Sequence, residues 1–275
     1  MRGTTYARAD PERSLWRVID LHSHVLPGLD DGPADLAGAV ALARAAERAG
    51  TEVLVATPHI SSEYAVEPLE VQARVEALRA ELAEAGVGIA LATGGELAPE
   101  RAPELDPAEI DAIRLGDGDC VLLECPFVPS GALVELAAER LWAAGLRVLL
   151  AHPERSPVFL RHTDALAALV ARGALVQLTA GSLRGDFGRT AQGCCHELLD
   201  RGLVHVVASD AHDSGARPPE LLEPVAAAVQ ERGLPPALVD WLVRDVPLAL
   251  LTGERVPARP SGGGPRRRRR WSLLR

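Results

Sequence analysis

The sequence predicts an α/β protein whose parallel strands close into one barrel of the (β/α)7, TIM-like kind. Three observations predict it. Short runs of Val, Leu and Ala alternate seven times with helical periods between residues 18 and 243, and strands joined by helical crossovers pair in parallel. The chain, 275 residues long, is of a size at which such a sheet closes as a single unit. Residues able to ligate metal fall at the strand ends where barrel active sites are built, namely His22 with His24, His59, Glu96, Glu124, His152, and Asp210 with His212.

In the opening strand Val18, Ile19 and Leu21 lead into His22 and His24, which alternation places on one face, with Asp30 and Asp31 close behind. Nitrogen and anionic oxygen donors so clustered suit a divalent cation better than a packed core. A helix is predicted over residues 35–49, with Asp35 as N-cap and Gly50 as stop. The strand at 53–56 ends in Thr57, Pro58 and His59. A helix over 67–84 closes at Gly86, and the strand at 87–92 runs into Gly94, Gly95 and Glu96. Residues 98–118, rich in Pro, Asp and Gly, predict an irregular connection with about one helical turn. A strand at 121–123 finishes at Glu124, a helix follows over 132–144, and the strand at 148–150 finishes at His152. The helix over 163–171 leads to the strand at 175–178, with Thr179, Ala180, Gly181 and Ser182 beyond it. After a helix over 192–201, the strand at 204–208 ends in Ser209, Asp210, Ala211 and His212. Helices over 220–232 and 236–243 complete a domain spanning 18–256, between a polar leader (1–17) and a flexible basic tail (257–275).

The net charge of −9 includes six tail arginines, Arg266 to Arg270 and Arg275, without which the rest stands at −15. Such a body repels nucleic acid. Cys120, Cys125, Cys194 and Cys195 lack Cys-x-x-Cys spacing, and an adjacent pair makes an awkward disulfide, which points to a reducing cytosol. No apolar run approaches a membrane span, and residues 1–17 lack the apolar core of a signal peptide. In the tail, SGGGP reads as a linker, and RRRRRWSLLR joins a basic block to Trp271, Leu273 and Leu274. That composition fits peripheral docking from the cytoplasm onto an anionic membrane face, and equally a solvated end.

Glu124 finishes a buried apolar strand and therefore needs a compensating charge or a shifted pKa. Five imidazoles and three carboxylates facing one cavity repel one another unless cations sit among them. With no thiolate in the set, an open hydrolytic arrangement of Mn, Fe or Zn is favoured over a structural zinc. The donors are too many for one ion. Two or three, bridged by a carboxylate such as Glu96, would generate a hydroxide and clamp a phosphoryl group for in-line attack. Arg155 and Arg217, on mouth loops, supply forked donors to phosphate. Cys195 and Arg201 match the Cys-x5-Arg spacing of thiol-based phosphatases, but the intervening HELLD forms helix and lacks the glycines of a phosphate cradle. His162, His196 and His205 read as structural.

The segments IDLHSHVLPGLDDGP, ATPHI, GGEL, LLECP, AHPER, QLTAGSLRGDFG and ASDAHDSGARPP, in this order, resemble the bacterial polymerase-and-histidinol-phosphatase (PHP) type of protein-tyrosine phosphatase found in capsular and exopolysaccharide operons. The likeness spans about residues 18–250. It implies a distorted barrel of the PHP fold and a cluster of ions, usually Mn2+. The ligands would be His22, His24, Asp31, His59, Glu96, Glu124, His152, Asp210 and His212. It further implies Arg155 and Arg217 on phosphate, with Asp31, His59 and His212 as the remaining catalytic candidates, the two histidines both placed to protonate the leaving phenolate. The substrate would be the phosphotyrosine tail of a cognate kinase. Three positions depart from the family pattern: Ile60 for a second His, Gly95 for Ala, and Thr179 for Asn. The competing readings are a small-molecule phosphomonoesterase, such as a histidinol-phosphate phosphatase, and a non-catalytic regulatory barrel. The oligomeric state is left open.

Overall fold

The computed structural model describes residues 18–128 and 131–261. The leader and the basic run at 266–275 lie outside the described residues.

Two parallel sheets make up one ring. The first pairs β1 (Ile19–Ser23), β2 (Val53–Ala56) and β4 (Ala90–Thr93) in that order. The second runs β3 (His59–Ile60), β5 (Glu96–Leu97), β6 (Cys120–Glu124), β7 (Arg147–Ala151), β8 (Leu175–Thr179) and β9 (Val206–Ala208). Two of the seven predicted strands are thus each split. Pro58 has no N–H for a ladder and ends β2, while Gly94 and Gly95 break β4 from β5. Beyond the breaks the chains pair again, His59 opposite Glu96. The ring closes between β9 and β1: Ser23 bridges Ala211, His24 N donates to Ala211 O at 2.8 Å, and Asp210 N donates to His22 O at 2.9 Å. Buried Asp20 reinforces this seam, its Oδ1 accepting from Ser209 N at 3.0 Å and His22 N at 3.3 Å. Seven strand positions therefore form a distorted barrel.

The helices α1 (Leu36–Arg48), α2 (Val71–Glu84), α4 (Gly131–Ala143), α6 (Thr163–Ala171), α8 (Arg189–Asp200) and α9 (Leu222–Glu231) stand where the periodicity predicts. The Asp35 carboxylate caps α1 by accepting from Gly38 N at 2.9 Å. The connection at 98–118 holds α3 (Pro107–Ala112), longer than the single turn expected because Asp106 and Glu109 form a capping box around a Pro at the first turn. The short helices α5 (Pro157–Arg161) and α7 (Ala180–Arg184) were not predicted, being too brief to show a period. The last predicted helix reaches further than 243. α10 (Ala237–Asp240) passes through a π turn (Trp241–Asp245) into α11 (Val246–Thr252). Pro247 offers no N–H to Val243 O and crowds it, so the helix widens there rather than ending.

Leu, Val, Ile and Ala side chains of the strands and inward helix faces form one continuous core. Residues beyond 256 join it at its edge: Trp241 Nε1 donates to Pro257 O at 3.1 Å, and Arg259 donates to Val204 O and Leu199 O, each at 3.1 Å. Among the described residues no helix is long and apolar enough to cross a membrane. At Gly95 an added Cβ would stand 2.8 Å from Ile113 Cβ and 3.1 Å from Ile60 Cγ1, so this barrel has no room for an alanine there. Gly95→Ala is expected to lower stability by about 1–3 kcal/mol through overpacking. Urea unfolding would show it, and an unchanged midpoint would contradict the packing described.

Candidate metal centre

Three of the five histidines at the mouth are fixed by a partner on the far nitrogen. His22 Nδ1 lies 3.0 Å from Gln177 Oε1, His24 Nδ1 lies 2.8 Å from Asp30 Oδ2, and His212 Nδ1 lies 2.9 Å from Asp210 O. Oxygen acceptors at Nδ1 place the proton there and leave the Nε2 lone pair free, as in ligating imidazoles. The free ends then converge, with His22 Nε2 only 3.2 Å from His24 Nε2. Two lone pairs at that distance repel unless a cation lies with them.

Asp30 is placed by the loop after β1. Its Oδ1 accepts from Gly32 N at 3.0 Å and its Oδ2 from His59 N at 3.0 Å. A Cβ on Gly32 would fall 2.1 Å from His24 O, so only glycine lets this loop fold back on β1.

Glu96, fully buried, is the hub. Its Oε1 receives His152 Nε2 at 2.8 Å, while Oε2 lies 3.1 Å from His59 Nδ1, 3.2 Å from His22 Nε2 and 3.5 Å from His24 Nε2 without making a hydrogen bond. Asp210 Oδ1 is likewise buried and unpaired, 3.4 Å from His24 Nε2 and 3.5 Å from His22 Nε2. Orphaned buried oxygens among facing imidazole lone pairs are what a bound cation satisfies. Three groups offer ligand atoms all within 4.8 Å of one another: His24, Asp31, His59 and His212; His22, His24 and Glu96; His59, Glu96 and Glu124. Because His24, His59 and Glu96 are shared, the groups form one polynuclear site of nitrogen and oxygen donors. Seven of the nine predicted ligands belong to these groups. The other two, His152 and Asp210, abut the cluster through Glu96, His22 and His24.

Those two residues also carry the strain. Among the described residues, His152 (φ 37°) and Asp210 (φ 54°) are the non-glycine residues with positive φ, a conformation costing about 1–3 kcal/mol each. Each turns its chain sharply at the end of a strand, β7 or β9, and so aims its side chain into the mouth.

The charges fit the same interpretation. Burial opposes ionisation of Glu96 and Asp210, but neighbouring imidazoles outweigh it and hold both carboxyls well below the usual range. His212 and His59 outweigh partial burial to do the same for Asp31. Glu124 is the exception, pushed up to about 7 by burial and by the charge on Glu96. Burial also works against charged His22, His24 and His59, yet the surrounding carboxylates raise all three. The cluster draws in positive charge. At its lip, Arg155 Nη1 and Arg217 Nη2 reach Asp210 Oδ2 at 2.6 and 2.7 Å.

The thiol alternative finds no support. Cys195 lies inside α8, where burial holds its thiol well above the ordinary value, and Arg201 is engaged by Asp164 and Glu197 at 2.8 and 3.2 Å. His205 is structural, its Nδ1 receiving Val176 N at 3.2 Å.

Two supporting residues went unrecognised in the sequence. Asp30 reads in the sequence as one more oxygen donor beside Asp31, not as the partner of His24 Nδ1, and Gln177 carries only the signal of a buried amide in the apolar run LVQLT. Through Gln177 the one position of the seven-membered ring that supplies no predicted ligand, β8, still serves the site. Gln177→Leu keeps the volume and removes the acceptor at His22 Nδ1. It is expected to weaken ion binding about 10–100-fold, measurable by competition with a chromogenic chelator; unaltered affinity would show that His22 needs no such support.

Comparison with known proteins gives concordant matches. Residues 18–251 match the family described as capsular polysaccharide synthesis, CpsB/CapC. The chain is 34% identical over 201 residues to the tyrosine-protein phosphatase YwqE of Bacillus subtilis (strain 168), covering 73% of this chain and 79% of the relative. It is 29% identical over 204 residues to the putative tyrosine-protein phosphatase CapC of Staphylococcus aureus, with the same coverages. A solved structure from work on YwqE of Bacillus subtilis and CpsB of Streptococcus pneumoniae, described as unique metal-dependent tyrosine phosphatases, superposes with a TM-score of 0.78 at 32% identity, covering 89% of this chain and 99% of that one.

Proposed function

This chain belongs to the CpsB/CapC family of capsular polysaccharide synthesis proteins, and from that premise we infer that it is a metal-dependent protein-tyrosine phosphatase. The observation that carries the reading is the set of three donor groups sharing His24, His59 and Glu96 beneath two arginines. His22, His24, Asp31, His59, Glu96, Glu124, His152, Asp210 and His212 are the residues that would hold the ions. Divalent ions so held supply Lewis acidity at the phosphoryl oxygens and lower the pKa of water.

The protein's own groups do the rest. Arg155 and Arg217, released from Asp210 Oδ2, present forked N–H donors to the phosphoryl oxygens. Asp31 Oδ1 stands 3.0 Å from His212 Nε2 and 3.4 Å from His59 Nε2. Within this trio, an imidazole not engaged by an ion is the group from which the departing phenolate would take its proton. The barrel walls exclude water from the buried oxygens of Glu96 and Asp210, which strengthens every charge interaction there.

The thiolate-free set of five imidazoles and four carboxylates suits Mn2+, Fe or Zn, and of these the reading takes Mn2+, the ion that the family resemblance implies. For the substrate the reading takes the phosphotyrosine tail of a cognate bacterial tyrosine kinase, in keeping with the family's link to capsular polysaccharide. It places the protein in the cytoplasm, a reading supported by four buried, free cysteines, with residues 266–275 touching the inner membrane face. The test pairs elemental analysis of the purified protein with rates on a phosphotyrosine peptide and on histidinol phosphate. Two or three ions per chain and a preference for the peptide are expected; a preference for histidinol phosphate would make it a small-molecule phosphatase instead.

A further inference from the structure

The described part of the chain has few aromatic side chains, and three of them, Tyr64, Phe127 and Phe187, gather at the mouth of the metal centre. Tyr64 stacks on His59 with ring centroids 5.3 Å apart and planes 10° from parallel. Phe127 stacks on His152 at 5.6 Å and 10°. Those two imidazoles contact different oxygens of one carboxylate, His59 at Glu96 Oε2 and His152 at Glu96 Oε1. Tyr64 and Phe127 are therefore each one imidazole removed from the hub, on two different ligands.

Phe127 also touches the phosphate-binding side. The Arg155 guanidinium lies over its ring at 4.8 Å and over the Phe187 ring at 4.0 Å, while its Nη1 points to Asp210. The segment carrying Phe127 is tied to the Arg155 turn by Ser156 Oγ, which donates to Pro126 O at 3.0 Å. Although braced in this way, Phe127 is 50% exposed. An apolar ring held in place and left open to solvent beside an anion-binding guanidinium is shaped to receive something flat.

We propose that Phe127, with Tyr64 as the facing wall, forms the subsite for the aromatic ring of an aryl phosphate, and so selects phosphotyrosine over alkyl phosphomonoesters. The inference rests on the phosphatase reading above. A phosphoryl group gripped by Arg155 and Arg217 over the cluster has its ester oxygen at the mouth, and the ring bonded to that oxygen emerges between Tyr64 and Phe127. Offset or edge contacts with these rings reward an aryl group and give an alkyl group little. Phe187 covers the other side of Arg155 and acts only through it, as a positioning residue.

Calorimetric titration of the metal-loaded protein with phenylphosphonate and methylphosphonate separates these roles without relying on turnover. Phe127→Ala is expected to weaken phenylphosphonate about five-fold more than methylphosphonate, and Tyr64→Leu to shift the ratio in the same direction. Phe187→Ala is expected to weaken both ligands alike. If Phe127→Ala weakens both equally, or neither, Phe127 is at most a brace for Arg155 and the subsite is overturned. A wild-type protein that hydrolyses phosphotyrosine while the Phe127→Ala ratio stays fixed refutes this inference alone. A wild-type protein inert on phosphotyrosine refutes the phosphatase reading and the inference with it.

Discussion

Glu96→Ala is expected to remove bound metal and to lower kcat/KM on a phosphotyrosine peptide by about three orders of magnitude or more. Its two oxygens lie within 3.5 Å of four other candidate ligands, His22, His24, His59 and His152. It also belongs to two of the three donor groups, so its loss leaves two sites short of a ligand at once. Glu96→Gln separates charge from volume: the amide fills the same space but brings no negative charge to offset the ions. Both variants are expected to fold, because the Glu96 carboxylate contacts imidazoles and not the backbone, so the main-chain ladder of β5 is kept. Circular dichroism checks the fold, elemental analysis the ion content, and peptide turnover the activity. A folded Glu96→Ala protein that keeps its activity would remove Glu96 from the centre altogether.

The site was more legible in the sequence than the fold that carries it. Ligand types at strand ends are local signals: His-x-His in a strand, Thr-Pro-His, a Glu closing the run VLLE. The structure brings all nine into one mouth. What remained hidden depends on contacts distant in sequence. Asp30 looks interchangeable with Asp31 until the turn at Gly32 sends one toward His24 Nδ1 and leaves the other facing His59 and His212. Gln177 reaches His22 across 155 positions, and no period announces that. The aromatic rim was invisible for the same reason, since Tyr64, Phe127 and Phe187 sit in three unrelated loops.

The two split strands were also missed, though Pro58 and the Gly94–Gly95 pair mark them. An apolar run followed by a polar residue reads as one strand with a ligand at its end. In three dimensions each ligand instead opens a second, two-residue strand, and it is the pairing of His59 with Glu96 that sets those two side chains together. The breaks are therefore part of how the centre is built: a straight continuation of β2 and β4 would keep the register of the first sheet, whereas the step at Pro58 and Gly94 hands the ligands to the sheet that carries Glu124 and the strand before His152.

Chelation is expected to reverse the direction in which pH acts on stability. In the ion-free protein Glu124 titrates near 7, above the ordinary 4.5, and His22, His24 and His59 are raised above 6.5. A group whose pKa is raised by folding lends stability that is complete below its unfolded value and fades as pH rises through the folded one. Between about pH 6 and 8 these four groups therefore act together, and the chelated protein loses stability as pH rises. His212, lowered by burial first of all, acts the other way, one group against four. The lowered carboxyls of Glu96, Asp31 and Asp210 matter only in more acidic solution. For the loaded protein the sign is opposite, because ions require these donors deprotonated and bind more tightly as pH rises. Each proton displaced adds about 1.4 kcal/mol per pH unit to the difference, or about 3–5 °C in Tm for a domain of this size. Thermal unfolding at pH 6, 7 and 8, with Mn2+ and with excess chelator, should give curves that diverge with pH. Parallel curves would mean that protons and ions do not compete for these donors, and the shared centre would have to be abandoned.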